Sequence, residues 1–146
     1  MIIIKNIKDI NRLKNINKIN LLNIKLPIND FKLFENYENK INKLFIEFNQ
    51  LKSFDYLNFK IDELYCSFNQ IHSFEKLNIP INKIICNNNK INSLKELKFP
   101  VNKLDCSFNN ITSLNELNVP INELDCSFNN IKELKVKVNY FTLNNF

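Results

Sequence analysis

Apolar and polar residues along this chain recur with a period of 20. In the last complete unit the apolar positions are Ile121, Leu124 and Cys126, then Asn129, then Ile131. The same frame starts again from Val101, Ile81, Ile61, Ile41 and Leu21. Within it, Leu124 and Cys126 alternate with Glu123, Asp125 and Ser127, which predicts a strand with one apolar and one polar face. In the unit that starts at Val101, Ile111, Leu114 and Leu117 come after the strand at a spacing of three. That spacing suits a 3₁₀ turn or an irregular return, because the segment is too short for a long α-helix. A unit repeated at constant length predicts a stack of coils with parallel strands about 4.8 Å apart.

The columns of this stack are written in the residue numbers. Cysteines fall at 66, 86, 106 and 126, asparagines at 29, 49, 69, 89, 109 and 129, and phenylalanines at 48, 68, 108 and 128. The segments 104–111 and 124–131 are identical, LDCSFNNI. The frame Ile121-x-x-Leu124-x-Cys126-x-x-Asn129-x-Ile131 resembles the conserved segment of leucine-rich repeats, LxxLxLxxNxL. This short form is similar to the repeats of bacterial effector proteins and to repeat families of large AT-rich DNA viruses of insects and amoebae. The resemblance covers about residues 21–131. It implies an α/β-type solenoid, a right-handed superhelix with a parallel sheet on its concave face and short 3₁₀ or irregular convex segments.

One domain over 1–146 follows, with six repeats over 21–137. No coil is stable alone, since its own burial does not offset the entropy of ordering it, so neighbours must share a core. The ends deviate. Over 1–20 the frame decays to a degenerate coil or amphipathic cap, and over 138–146 Val138, Phe141 and Leu143 restart it early as a closing strand. Asn29, Asn49, Asn69, Asn89, Asn109 and Asn129 form a structural ladder. An amide side chain has two donor hydrogens and an acceptor, which suits peptide groups left unpaired where the chain turns inward. In a chain without glycine, Asn is also the residue expected at left-handed turn positions.

Composition changes this picture little. Gly, Ala and Trp are absent and Asn makes up about a fifth of the chain. Asn, Lys, Ile and Phe belong to AT-rich codons, so position carries more information here than abundance. The net charge of +5 resides in residues 1–25, where six basic residues face Asp9 alone. A neutral body with one basic end lacks the continuous basic face of a nucleic-acid binder, so no nucleic-acid partner is expected. The basic first segment reads as a solvated cap rather than a membrane anchor. Met1-Ile2-Ile3-Ile4-Lys5 is too short and too soon charged for a signal peptide, and no run approaches ~20 apolar residues. The expectation is a soluble cytoplasmic protein without membrane partners, in the host cytoplasm if viral.

Candidate chemistry is sparse. Zinc would need four sulfurs about 2.3 Å from one point, whereas these cysteines are spread over three strand steps, so they read as reduced core residues. His72 is the sole histidine and falls on a turn, with no nucleophile placed beside it. No catalytic residues, metal or cofactor are expected, and the chain reads as no enzyme. The Phe column, interrupted at Asn88, reads as rings stacked on one another over the core edge, with an exposed aromatic stripe for a partner as the alternative. The remaining candidate is the outward sheet face. Its first column is Lys43, Glu63, Lys83, Lys103 and Glu123; its central column is Phe45, Tyr65, Ile85, Asp105 and Asp125. Glu47, Ser67, Asn87, Ser107 and Ser127 form a third. An apolar anchor with an acidic end suits a protein partner.

Protein–protein interaction through the concave face is what the resemblance implies, with a host protein as partner in a viral setting. Two alternatives stand beside it. One is a substrate-recognition component of a ubiquitin-ligase system whose catalytic part lies on another chain. The other is a structural protein, monomeric or weakly self-associating end to end through its terminal strands.

Overall fold

The computed structural model describes residues 40–55 and 57–132, together with the backbone of the strands at 18–20 and 140–142. The chain forms a parallel β-solenoid. Seven strands, β1 (Lys18–Asn20), β2 (Ile41–Phe45), β3 (Ile61–Tyr65), β4 (Lys83–Ile85), β5 (Val101–Asp105), β6 (Ile121–Asp125) and β7 (Tyr140–Thr142), lie in chain order in one sheet. From β2 to β6 each strand pairs with the next at a step of one full repeat, as in Leu44↔Leu64, Leu64↔Ile84, Ile84↔Leu104 and Leu104↔Leu124.

The outer strands keep the sheet but not the step. Phe141 stands opposite Leu124, short of a full repeat onward, and Ile19 stands opposite Leu44, more than a full repeat back. The frame from Leu21 would have put Ile24 beside Leu44. A parallel ladder is made by backbone groups, so the strand-forming triplet Lys18-Ile19-Asn20 serves as well as Asn23-Ile24-Lys25. The proposed repeat over 21–39, with Asn29, lies outside the described residues, as do the cap residues 1–17 and Val138 and Leu143.

The strand alternation decides what is inside. Ile41, Leu44, Ile46, Leu64, Cys66, Ile84, Cys86, Leu104 and Cys106 are all almost fully buried in one continuous core. Ile46 holds in its coil the place that cysteine takes in the next four, so Cys here fills an aliphatic position. The return supplies the other wall: Phe54, Phe74, Leu94 and Leu114 are buried, and the first two stack at 5.8 Å.

The described residues contain no helix, so the coil is a strand followed by turns rather than strand and helix. Each return makes one tight turn, with Leu57 N–H donating to the Phe54 carbonyl at 3.0 Å. Leu77 to Phe74, Leu97 to Leu94 and Leu117 to Leu114 repeat it at 2.9, 3.1 and 3.1 Å. The short return leaves room for one such turn and the re-entry. Pro80, Pro100 and Pro120 lie at that re-entry, where a residue without an N–H still accepts: Val101 N–H donates to the Pro120 carbonyl at 3.1 Å. No helix of the described residues is long and apolar enough to cross a membrane.

The asparagine ladder closes the sheet side. Asn89 Nδ2 donates to the carbonyls of Cys86 in its own coil and Cys66 in the coil before, both at 3.0 Å. Its Oδ1 accepts from Ile71 N–H, also at 3.0 Å. Asn69, Asn109 and Asn129 repeat the arrangement, each in its own coil.

The left-handed positions fall one residue earlier. Phe48, Phe68, Asn88, Phe108 and Phe128 have φ of 52–56°. Asparagine takes this conformation in one coil and phenylalanine in the other four, against the expectation for a chain without glycine. The turn is imposed by its surroundings: Phe48 N–H donates to the Ser67 carbonyl at 3.1 Å, and the following Asn folds back onto the strand. The left-handed conformation costs about 1–2 kcal/mol per residue. Stacking of neighbouring rings offsets part of it, about 0.5–1.5 kcal/mol per pair.

Candidate functional site

The outward face of β2–β6 presents two half-exposed columns in strict register. In the first, opposite charges meet across strands. Lys43 Nζ lies 3.0 Å from Glu63 Oε1, and Lys103 Nζ lies 2.8 Å from Glu123 Oε2. The hydrogen bond to Glu63 raises the Lys43 pKa, and that to Glu123 raises the Lys103 pKa. Lys83 reaches sideways and donates to the Tyr65 hydroxyl at 3.1 Å, with its ammonium 5.1 Å from the ring centre. The Tyr65 hydroxyl in turn donates to Glu63 Oε2 at 2.6 Å. That bond, and the one from Lys43, hold the Glu63 carboxyl below its ordinary range. The sequence placed these residues in separate columns; the phenol ties the columns together.

The central column changes character along the sheet. Phe45 and Tyr65 stack at 4.5 Å and 13° between planes. Ile85 follows, half-buried, and then come Asp105 and Asp125. Asp105 Oδ2 accepts from Asn87 Nδ2 at 2.9 Å, while its Oδ1 accepts from Ser107 N–H at 3.1 Å and Ser107 Oγ at 2.7 Å. Asp125 repeats the second arrangement with Ser127, at 3.0 and 2.6 Å. One end of the column is therefore aromatic and the other a pair of fixed carboxylates.

The third column departs from the sequence reading. Ser67, Ser107 and Ser127 are buried rather than exposed. Alternation alone would expose them, but the chain begins its inward turn here. In the last two coils the aspartate two positions earlier folds over the hydroxyl. Glu47, in the first described coil, has its carboxyl pKa raised by burial.

The remaining candidates lie off the outward sheet face. Burial raises the pKa of Cys66, Cys86 and Cys106, and it raises that of Cys126 to about 11. These are protonated thiols at neutral pH, poor as nucleophiles and as metal ligands. Cys86 Sγ lies 3.3 Å from the Asp105 carbonyl of the next coil, as a donor to it. Among the described residues no group of three His, Cys, Asp or Glu is placed to hold a metal ion. His72 is exposed on the return and contributes backbone contacts, its N–H 3.4 Å from the Lys52 carbonyl. The phenylalanine rings stack as expected, Phe48 on Phe68 and Phe108 on Phe128. They nevertheless stand nearly half exposed, so they flank the core rather than seal it.

Comparison of the chain with protein-family models, with curated proteins and with solved structures gives no match.

Proposed function

We propose that this solenoid is a leucine-rich-repeat module of the α/β type with short returns, and that it binds a protein partner on the outward, concave side of its sheet. The observation that supports the reading is the central column. A register-locked parallel sheet holds the stacked Phe45–Tyr65 pair, Ile85, and the anchored carboxylates of Asp105 and Asp125 in one line. Such a line offers a partner an aromatic and aliphatic anchor at one end and fixed negative charge at the other, with little side-chain entropy left to lose on binding. The role is non-catalytic, in the cytoplasm, and with the viral resemblance the partner is a host protein.

Cross-linked capture from host-cell extract tests this, comparing the native protein with a Tyr65→Glu, Ile85→Glu double variant. Circular dichroism of both proteins serves as the check that each is folded. A partner held through this face loses binding by about 10-fold or more in the variant, the scale of a hot-spot residue. Equal capture by both proteins moves the site off the sheet face. Capture by neither leaves self-association as the reading to pursue, through the dependence of solution mass on concentration.

A further inference from the structure

The exposed large hydrophobic residues of the described surface are Phe48, Phe68, Phe108 and Phe128, each 43–49% accessible. They lie in one row along the edge of the solenoid, at the left-handed position after each strand. The row has a gap. Phe48 stacks on Phe68 at 4.5 Å and 7°, and Phe108 on Phe128 at 4.2 Å and 12°. Between the pairs stands Asn88, with the same backbone conformation, φ 55°, but a short side chain. Its Nδ2 is turned aside to Asn87 Oδ1 at 3.0 Å.

The size of the gap follows from the repeat. Rings one coil apart sit 4.2–4.5 Å apart, so rings two coils apart face each other at roughly 9 Å, two strand steps of about 4.8 Å. That is twice a stacking distance. It admits one planar ring, in the place where four other coils put a phenylalanine. We propose that the gap over Asn88 is a binding slot for one aromatic side chain of a protein partner, held between the rings of Phe68 and Phe108.

Each of these rings is stacked on its outer neighbour, so its second face is directed at the slot. Two aromatic faces at this separation favour a flat group over a branched aliphatic one. The floor is a side-chain amide, which suits a ring with a polar edge, a Trp N–H or a Tyr hydroxyl, better than Phe. The slot is open along its outer side, so a free ring touches little besides the two faces. A side chain delivered by a polypeptide running along the edge adds contacts with the flanking rings. The slot lies beyond the sheet-face column and stands whether or not that face binds anything.

The experiment is an NMR titration of the full chain, following the ring protons of Phe68 and Phe108. The probes are N-acetyl-tryptophanamide, N-acetyl-leucinamide and the peptide Ser-Trp-Ser. The expected result is a saturable upfield shift of both rings with the two Trp probes and none with the leucine amide. The Asn88→Phe variant, which fills the slot with the residue that four other coils carry, loses the shift. Asn88→Gly keeps the left-handed turn and the open slot, and retains binding weakened no more than a few-fold by loss of the amide. Lys95→Ala on the exposed return leaves the titration unchanged. Equal shifts with the leucine amide, unaltered binding by Asn88→Phe, or no saturable shift in the native chain overturns the slot. Binding of the free amide without the peptide overturns the side-chain source.

Discussion

Two columns one residue apart invert the ordinary rule of burial. Asn49, Asn69, Asn89 and Asn109 are polar and at most 9% exposed, while Phe48, Phe68, Phe108 and Phe128 are aromatic and nearly half exposed. Burial here follows hydrogen-bond demand rather than hydrophobicity. As the chain turns inward after each strand, carbonyls such as Cys66 and Cys86 leave the ladder, and a residue with several donors must stand among them. The residue before it is forced outward by the left-handed turn. Its ring then stacks on its counterpart in an adjacent coil, with nearly half of its surface left exposed. The inner column is obligatory for the fold, and the outer one is available for other uses.

The largest test strikes the inner column. Asn89→Ala removes the acceptor of the buried Ile71 N–H and one of two amide donors to each of the Cys66 and Cys86 carbonyls, which keep Asn69 and Asn109. The one orphaned N–H costs about 1–3 kcal/mol and the two thinned carbonyls add to it, so a loss of about 2 kcal/mol or more is expected from urea denaturation. A loss below about 1 kcal/mol would show that water replaces the amide and would break the contrast with the outer column.

The next effect tests the dryness of the core behind the ladder. Burial raises the Cys86 thiol well above its ordinary value of 9.0, so above that pH the unfolded chain gives up the proton while the folded chain keeps it. The unfolded state then binds fewer protons, and stability falls as pH rises. The stability is intact below the unfolded value and declines through the interval up to the folded pKa. From about pH 8 to about pH 10 the loss is about 1 kcal/mol per buried thiol, and urea titrations of Cys86→Ala show a correspondingly shallower decline. A pH-independent midpoint would mean that the thiols are hydrated in the fold.

A smaller change is expected in the outer column. Phe108→Gly loses one stacked pair but relieves a left-handed phenylalanine, φ 52°. The stacking and the half-buried ring surface lost, about 2 kcal/mol together, outweigh the relief of about 1 kcal/mol, so thermal denaturation reports a net loss of about 1 kcal/mol. A large destabilisation would make the ring a structural element like the asparagine beside it. The smallest effect belongs to the sheet face. Lys103→Met breaks an ion pair whose side chains are both about half exposed, and shifts stability by less than about 0.5 kcal/mol in the same measurement.

Much of this was legible in the numbering. A constant recurrence of Leu, Cys and Asn predicts register-aligned parallel strands, because a one-residue slip would turn every inward side chain outward. The roles of the asparagines and cysteines follow from the same recurrence, since each sits at one place in every coil. The pattern misled where local rules met tertiary ones. Propensity assigns left-handed turns to Asn, and the turn nevertheless holds Phe48, Phe68, Phe108 and Phe128. Alternation puts Ser107 and Ser127 outside, yet the turn and the aspartates beside them bury both. The ladder found Ile19 where the repeat expected Ile24, because backbone pairing is indifferent to the side-chain frame.

The sequence by itself determined the period, the strand direction, the apolar interior and the asparagine column, because each follows from spacing along one dimension. Only the tertiary structure decided that the Tyr65 hydroxyl bridges Glu63 and Lys83, and that the stacked phenylalanine rings stand nearly half exposed beside the core. Those relations join different coils through side-chain directions. A side-chain direction is set by the turn and the neighbouring coil together, and no single unit of the repeat contains both.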